Sequence, residues 1–248
     1  MLHRLAELDE IVRAGYDGFE FKRITRALVD FMVVELSAFY FDIRKDALYC
    51  DAPSSKRRKA AMQVVRHLFD HLVTWLAPML PFTTEEAWLD RYPSAESVHL
   101  EQFRDVPADW KNEALAEKWR KIRQVRGVVT GALELERARK VIGSSLEAVP
   151  IVYIADASLE AAIADVDMAE ISITSDLVVS HEVAPADAFT LREVPGVAVV
   201  VEKAEGRGLR KCARSWRYTD DVGSDAGFPD VSARDAAALR ELEALGRL

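Results

Sequence analysis

Lys56-Arg-Arg-Lys-Ala-Ala-Met-Gln-Val-Val-Arg-His-Leu-Phe-Asp-His-Leu-Val-Thr-Trp-Leu-Ala-Pro-Met-Leu-Pro81 is the stretch that decides how the first half of this chain folds. Within it Met62, Val65, Leu68, Phe69, Leu72 and Leu76 recur at steps of three and four, the spacing of one buried helical stripe. Asp51-Ala-Pro-Ser-Ser55 ahead of it is turn chemistry and offers Ser54 or Ser55 as the N-cap of a helix near Lys56 to Ala77. Pro78 and Pro81 end that helix, because proline lacks the amide and its ring clashes with the preceding turn. A helix this long with one apolar face needs neighbours to cover it.

The neighbours lie on both sides. Upstream, Leu2, Leu5, Leu8, Ile11 and Val12 form a stripe that Gly15 and Gly18 are expected to interrupt with a turn. A second helix is expected from about Glu20 to Phe41, with Phe21, Ile24, Leu28, Phe31, Met32 and Leu36 inward. Downstream, Thr83 or Thr84 with Glu85 and Glu86 supplies a hydroxyl cap and early carboxylates for a helix carrying Trp88. Four such segments predict an antiparallel helical bundle over 1–107. Pro93 to Pro107 reads as a loop with a short extended piece, Ser97-Val-His-Leu100.

Beyond the bundle, Trp110 to Val141 reads as a long basic helix with Leu115, Trp119, Ile122, Val125, Val129 and Leu133 on one side, closed by a left-handed Gly143. The period then changes. Val149 to Ile154, Ile171 to Thr174, Leu177 to Ser180 and Val197 to Glu202 read as strands, and Leu159 to Ala164 as a short helix. This predicts a long helix and a small α+β domain over 108–204, then an irregular tail over 205–248 with a last helix from Ser232 to Leu245. The fold class is mainly α: a helical bundle, a long helix and a small α+β domain with an irregular tail.

Composition narrows the setting. The chain has 248 residues, half of them apolar and 30% charged, which is a globular composition. No apolar run approaches the roughly 18 to 20 residues of a membrane span, so no membrane partner is expected. The first ten residues lack the apolar core of a secretory signal. Cys50 and Cys212 are the only cysteines, which suits a cytoplasmic location.

The net charge of -8 argues against a simple basic DNA-binding domain, but it hides a segregation. Arg44 to Arg66 holds seven cationic and two acidic residues, and Lys111 to Gly143 holds nine and four, each about +5 locally. Ser144 to Glu202 reverses the balance, with eleven acids against Arg192 alone. A polyanion is steered by such local fields rather than by the net charge.

Basic residues interleaved with aromatics suit single-stranded RNA, since cations take phosphates while aromatic faces stack on unpaired bases. Phe39-Tyr-Phe-Asp-Ile-Arg-Lys-Asp-Ala-Leu-Tyr49 followed by Lys56-Arg-Arg-Lys59 has that make-up, as do core aromatics beside a solvated helix end. His67 and His71 stand at i and i+4, a spacing that can face one metal, but no third ligand is identifiable. Lys211-Cys-Ala-Arg-Ser-Trp216 and Val231-Ser-Ala-Arg-Asp235 invite comparison with a zinc ribbon. Only Cys212 is a thiolate there, with Ser215, Ser232 and Asp235 at the other places, so no metal site is assigned. No nucleophile triad, phosphate loop or carboxylate pair stands out, and no catalytic residue is assigned.

Glu35-Leu-Ser-Ala-Phe-Tyr40, Arg44-Lys-Asp-Ala-Leu-Tyr49, Leu76-Ala-Pro-Met-Leu-Pro-Phe-Thr-Thr-Glu-Glu-Ala-Trp88 and Ser97-Val-His-Leu100 resemble the anticodon-binding helical domain of class I aminoacyl-tRNA synthetases. Lys45-Asp-Ala-Leu-Tyr49 brings the resemblance closest to the isoleucyl family. Arg137-Ala-Arg-Lys-Val-Ile-Gly-Ser-Ser-Leu-Glu-Ala148 is similar to the segment after that family's long helix, and Lys-Cys-x-x-x-Trp, Thr219-Asp-Asp-Val-Gly223 and Phe228-Pro-Asp230 to its zinc-binding C-terminal segment. The resemblance covers nearly the whole chain. It departs at the four-cysteine pattern, so the family's zinc does not carry over, and thiolate loss is expected to leave Arg207 to Val231 mobile.

The resemblance implies recognition of the anticodon stem and loop of tRNA(Ile), on behalf of a parent ligase that joins isoleucine to that tRNA using ATP. The ATP signature motifs of that class, the His-Ile-Gly-His and Lys-Met-Ser-Lys-Ser kinds, are not in this sequence, nor is an editing domain, so the chain is expected to be inactive alone. Arg44, Lys45, Lys56, Arg57, Arg58 and Arg66 are the candidate phosphate contacts, with Tyr49 as a stacking residue. Lys118, Arg120, Lys121 and Arg123 would extend the footprint along the stem. The expected partners are tRNA(Ile) and the catalytic domain of the same enzyme, with no cofactor in this chain. The competing expectation is a protein-interaction or regulatory module derived from a synthetase that no longer binds tRNA.

Overall fold

The computed structural model describes residues 1–247, which form two compact units: Met1–Leu48 with Ser54–Glu113, and Tyr49–Pro53 with the chain from Ala114 onward. The fold is mainly α, with a small sheet in the second unit.

The first unit begins with α1 (Leu2–Asp17) and α2 (Phe21–Asp30). The helix of α2 continues through Phe31–Phe41, which has the wider i→i+5 bonding of a π-helix, into α3 (Asp42–Tyr49). Then come α4 (Lys56–Leu76) and α5 (Pro81–Arg91). Leu5, Leu8 and Val12 pack with Ile24, Leu28, Phe31, Leu36, Leu68 and Trp75 in one core. Each fully buried Leu or Ile there contributes about 1.5–3 kcal/mol.

Several sequence expectations are corrected here. Gly15 does not end α1; it lies inside the helix because a Cβ there would sit 2.5 Å from Ile24, so its bareness lets α2 approach. The turn falls later, at Phe19, which adopts φ 56°. Phe21, expected inward, is exposed, and Met62 is 54% exposed. On α4, Ala61, His71 and Trp75 are buried beside Leu68, while Val65, Leu72 and Leu76 of the expected stripe pack partly buried against the same core. α5 starts at Pro81 rather than at a threonine cap, because proline suits the first helical position, while Thr84 donates back to the Leu80 carbonyl. Ser97-Val-His-Leu100 is not extended but a single 3-10 turn capped by Ser97, held by Glu85, which accepts from Ser97 Oγ and the Val98 amide.

The second unit is led by α6 (Glu113–Ala138), which buries Ile122, Val125, Val128, Val129, Ala132 and Leu133. Leu115, expected on that face, is exposed. The left-handed residue past the helix is Lys140 (φ 59°), two residues beyond Ala138, rather than Gly143. The chain then runs through β1 (Ala148–Ile154), α7 (Ala157–Ile163), α8 (Met168–Ser172), β2 (Val178–Ser180), β3 (Phe189–Thr190) and β4 (Val197–Lys203). The sheet order is β2-β1-β4-β3, with β1 parallel to β2 and antiparallel to β4, Val152 facing Val199. A Cβ on Gly131 would meet the Phe189 ring at 2.8 Å, so that glycine lets β3 lie against α6.

Ile171 to Thr174 reads as an alternating strand, but Ile171 and Ser172 belong to α8 and Ile173 turns left-handed at its end (φ 58°), because Asp167 accepts from the Glu170 amide at 2.9 Å and nucleates a turn. The tail contains a short antiparallel pair, β5 (Arg210–Lys211) with β6 (Tyr218–Thr219), and α9 (Ala233–Ala244) capped by Ser232. Among the described residues no helix is long and apolar enough to cross a membrane.

Candidate nucleic-acid interface

The first unit collects cations at the start of α4. Ser55 Oγ accepts from the Arg58 amide at 3.3 Å and caps the helix, so Lys56, Arg57, Arg58 and Lys59 occupy its first turn, where no acid stands. Cations at a helix amino end work against the helix dipole by about 0.3–1 kcal/mol each, so helix stability does not explain them. The positive end of the dipole and the cations together favour a phosphate. Arg57 Nη2 donates to Asp46 Oδ2 at 3.0 Å and so joins this turn to α3, which carries Arg44 and Lys45. Lys45 Nζ donates to Asp42 at 2.8 Å. Arg66 is exposed and lies ten residues past Lys56, about 15 Å further along the helix axis. The structure thus brings five of the expected cations together and places Arg66 along the same helix.

The cations expected on α6 have a different setting. Lys118 Nζ donates to Asp165 at 2.5 Å, and Arg120 makes two bonds to Glu117, at 2.8 and 2.6 Å. Those hydrogen bonds hold the Glu117 and Asp165 carboxyls below their ordinary range. Lys121 and Arg123 are half-buried. Asp165 thus adds one counter-charge to this segment, whose local balance already includes Glu117.

Two aromatic faces of the second unit are open. Tyr49 is 75% exposed and Trp216 63% exposed. Trp216 adopts φ 63° where its amide closes a turn onto the Cys212 carbonyl, and Lys211 Nζ stands 5.8 Å from the ring centroid. Arg214, two residues before it, donates to the Tyr49 carbonyl at 3.0 Å and to the Cys50 carbonyl. Trp216 is absent from the residues that the sequence singles out as RNA contacts. Its position after Lys211-Cys-Ala-Arg-Ser is the available signal, and its left-handed backbone has none.

His67 and His71 do not converge on a common point. His71 is buried, with Nδ1 2.7 Å from the His67 carbonyl, and burial pushes its pKa down, while His67 packs edge-on to Trp110 at 4.9 Å. Among the described residues no three His, Cys, Asp or Glu side chains form a metal-holding group.

The ribbon-like tail is packed, against the expectation of mobility. Cys212, Val222, Val231 and Ala236 share a small core with Phe228 and Leu239. The four ribbon positions meet, but as a hydrogen-bonded set: Asp235 Oδ2 accepts from Cys212 Sγ at 3.2 Å, Ser215 Oγ at 2.7 Å and Ser232 Oγ at 2.9 Å. One thiol, two hydroxyls and a carboxylate already saturated with donors do not fit the thiolate-rich set that a structural zinc requires.

The chain belongs to the family described as the anticodon-binding domain of tRNA ligase, whose family model matches residues 1–152. That match takes in the first unit, α6 and most of β1.

Over its full length the chain is also similar to curated proteins named isoleucine–tRNA ligase. It is 82% identical over 248 residues to the one from Mesorhizobium japonicum and 72% identical over 248 residues to the one from Brucella abortus. Over 245 residues it is 68% identical to the one from Agrobacterium fabrum. In each case the chain spans 25% of the relative's length.

Proposed function

We propose that this chain recognises the anticodon stem and loop of tRNA(Ile) in the cytoplasm, as the tRNA-reading part of an isoleucine–tRNA ligase. The remainder of that ligase would use ATP to join isoleucine to the tRNA. The observation that carries this reading is the acid-free, fourfold cationic first turn of α4, joined to α3 through Arg57 and Asp46. It lies within the matched anticodon-binding region. Phosphate contacts fix register while bases carry the sequence information. Arg44, Lys45, Lys56, Arg58 and Arg66 would do the first, with Arg57 holding the two helices together. The exposed rings of Tyr49 and Trp216 are suited to stack on unpaired bases. Lys118, Arg120, Lys121 and Arg123 would add a weaker stem contact, since Lys118 and Arg120 are paired with Asp165 and Glu117. In this reading 1–107 is an antiparallel anticodon-binding bundle, 108–204 a supporting α+β domain and 205–248 the ribbon-derived tail.

The same unit also has a surface for the rest of a ligase. Phe19, 79% exposed, and Phe21 line an open groove of ≈ 750 Å³ with Ile11, Arg23 and Arg26. Slower hydrogen exchange over 19–26 in the whole ligase than in this chain is the expected sign of docking there; equal exchange removes the groove from the proposal.

The deciding experiment is binding of the purified chain to tRNA(Ile), and to that tRNA with a changed anticodon, across a salt series. Neutralising about five phosphates gives a slope of log affinity on log salt of roughly -3 to -5. Preference for the native anticodon with that slope is expected. Equal or absent binding overturns the reading and favours the protein-interaction alternative.

A further inference from the structure

We propose that the Asp235 carboxylate takes the structural place of a metal ion in the second unit, clamping the turn at Cys212–Ser215 to the start of α9 so that the tail folds metal-free. This inference is independent of the tRNA reading.

The geometry is that of a hub. Asp235 is 0% exposed, and its Oδ2 gathers the Cys212 thiol, both serine hydroxyls and Arg234 Nη2 at 3.2 Å, while Oδ1 accepts from Arg214 Nη1 at 2.6 Å. Cys212 Sγ in turn accepts from the Ser232 amide at 3.4 Å. Ser232 Oγ accepts from the Asp235 amide at 3.3 Å, so one hydroxyl serves both the helix cap and the hub. A tetrahedral ion would draw the same four positions together from the same two turns.

Charge separates the two possibilities. Arg234 also pairs with the buried Asp51, Nη1 to Oδ1 at 3.6 Å. Two guanidinium groups therefore face two carboxylates, and the cluster is neutral as built. A divalent cation placed among them would meet two partly buried guanidinium groups at close range, with only one thiol to bind it. A buried carboxylate is costly unless every lone pair finds a donor, and this one is saturated. Burial alone would raise its pKa; the Ser215 bond, the Arg234 charge and the bonds from Arg214 and Ser232 outweigh that and bring it to about 2.

The test uses the whole 248-residue chain, purified with added zinc and then dialysed. Its zinc content by plasma mass spectrometry and its amide exchange over 212–235, with and without EDTA, are the readouts. Expected are zinc below about 0.1 per chain and exchange unchanged by the chelator. Asp235→Asn should speed exchange over 212–235 by about 100-fold and leave α4 untouched. Should that variant fail to fold, Ser215→Ala, which removes one donor, should speed it by about tenfold or less but measurably. One zinc per chain with chelator-induced opening of the tail overturns the proposal. So does exchange that neither substitution changes.

Discussion

The first turn of α4 and the middle of α6 both carry dense cations, but the acids that meet them come from different places. Arg120 has Glu117 one turn away, and Lys118 has Asp165 from the approach to α8. The first turn of α4 has no acid, and of its cations Arg57 has Asp46 from α3. Equal charge density in a sequence therefore does not mean equal potential at a surface. What differs is where the counter-charges stand: α6 carries Glu117 one turn from Arg120, whereas the first turn of α4 has no acid of its own.

The comparison can be broken by experiment. Lys56→Glu with Arg58→Glu should give the largest effect, about a 100-fold loss of tRNA affinity at low salt, with the salt slope shallower by about 2. The helix dipole favours acids at those positions, so α4 should stay folded and its thermal midpoint should not fall, which separates lost binding from lost structure. Trp216→Ala should cost about tenfold in affinity with the salt slope unchanged, because stacking releases no counter-ions. Lys118→Glu with Arg120→Glu should cost less than about threefold, since those cations are already partnered. A larger loss from the α6 pair than from the α4 pair would reverse the contrast.

The smallest effect at neutral pH, and a sharper one in acid, concerns Asp235. Its folded-state pKa of about 2 lies below the ordinary 3.8, so its contribution is full above about pH 4 and is lost as pH falls towards 2. Acid titration followed by hydrogen exchange should open 212–235 before the core of α4. Simultaneous opening would show that the hub does not set the acid limit of the second unit.

The parts of the fold that the sequence announces are those with local causes. Ser55 before Lys56 caps α4, Ser232 caps α9, and β1 and β4 follow from their apolar runs. What escapes it is decided by distant partners. Gly15 reads as a breaker until Ile24 is seen against it. Ile171 to Thr174 alternates like a strand, but the cap at Asp167 winds its first two residues into α8. The cationic segment around Lys56 is visible in composition, whereas the neutralisation of Lys118 depends on Asp165, 47 residues away. The tail reads as a damaged ribbon until Asp235 is seen to gather Ser215 and Ser232.

The hold of Arg214 on the carbonyls of Tyr49 and Cys50 spans 165 and 164 residues of chain, all within the second unit. On a ribosome adding about 5–20 residues per second, those carbonyls would wait roughly 10–30 s for the arginine that binds them. Until then Tyr49–Pro53 is a stretch without its partners, open to proteases and chaperones. Emergence of Arg214, rather than completion of the first helices, sets the moment at which this contact can close.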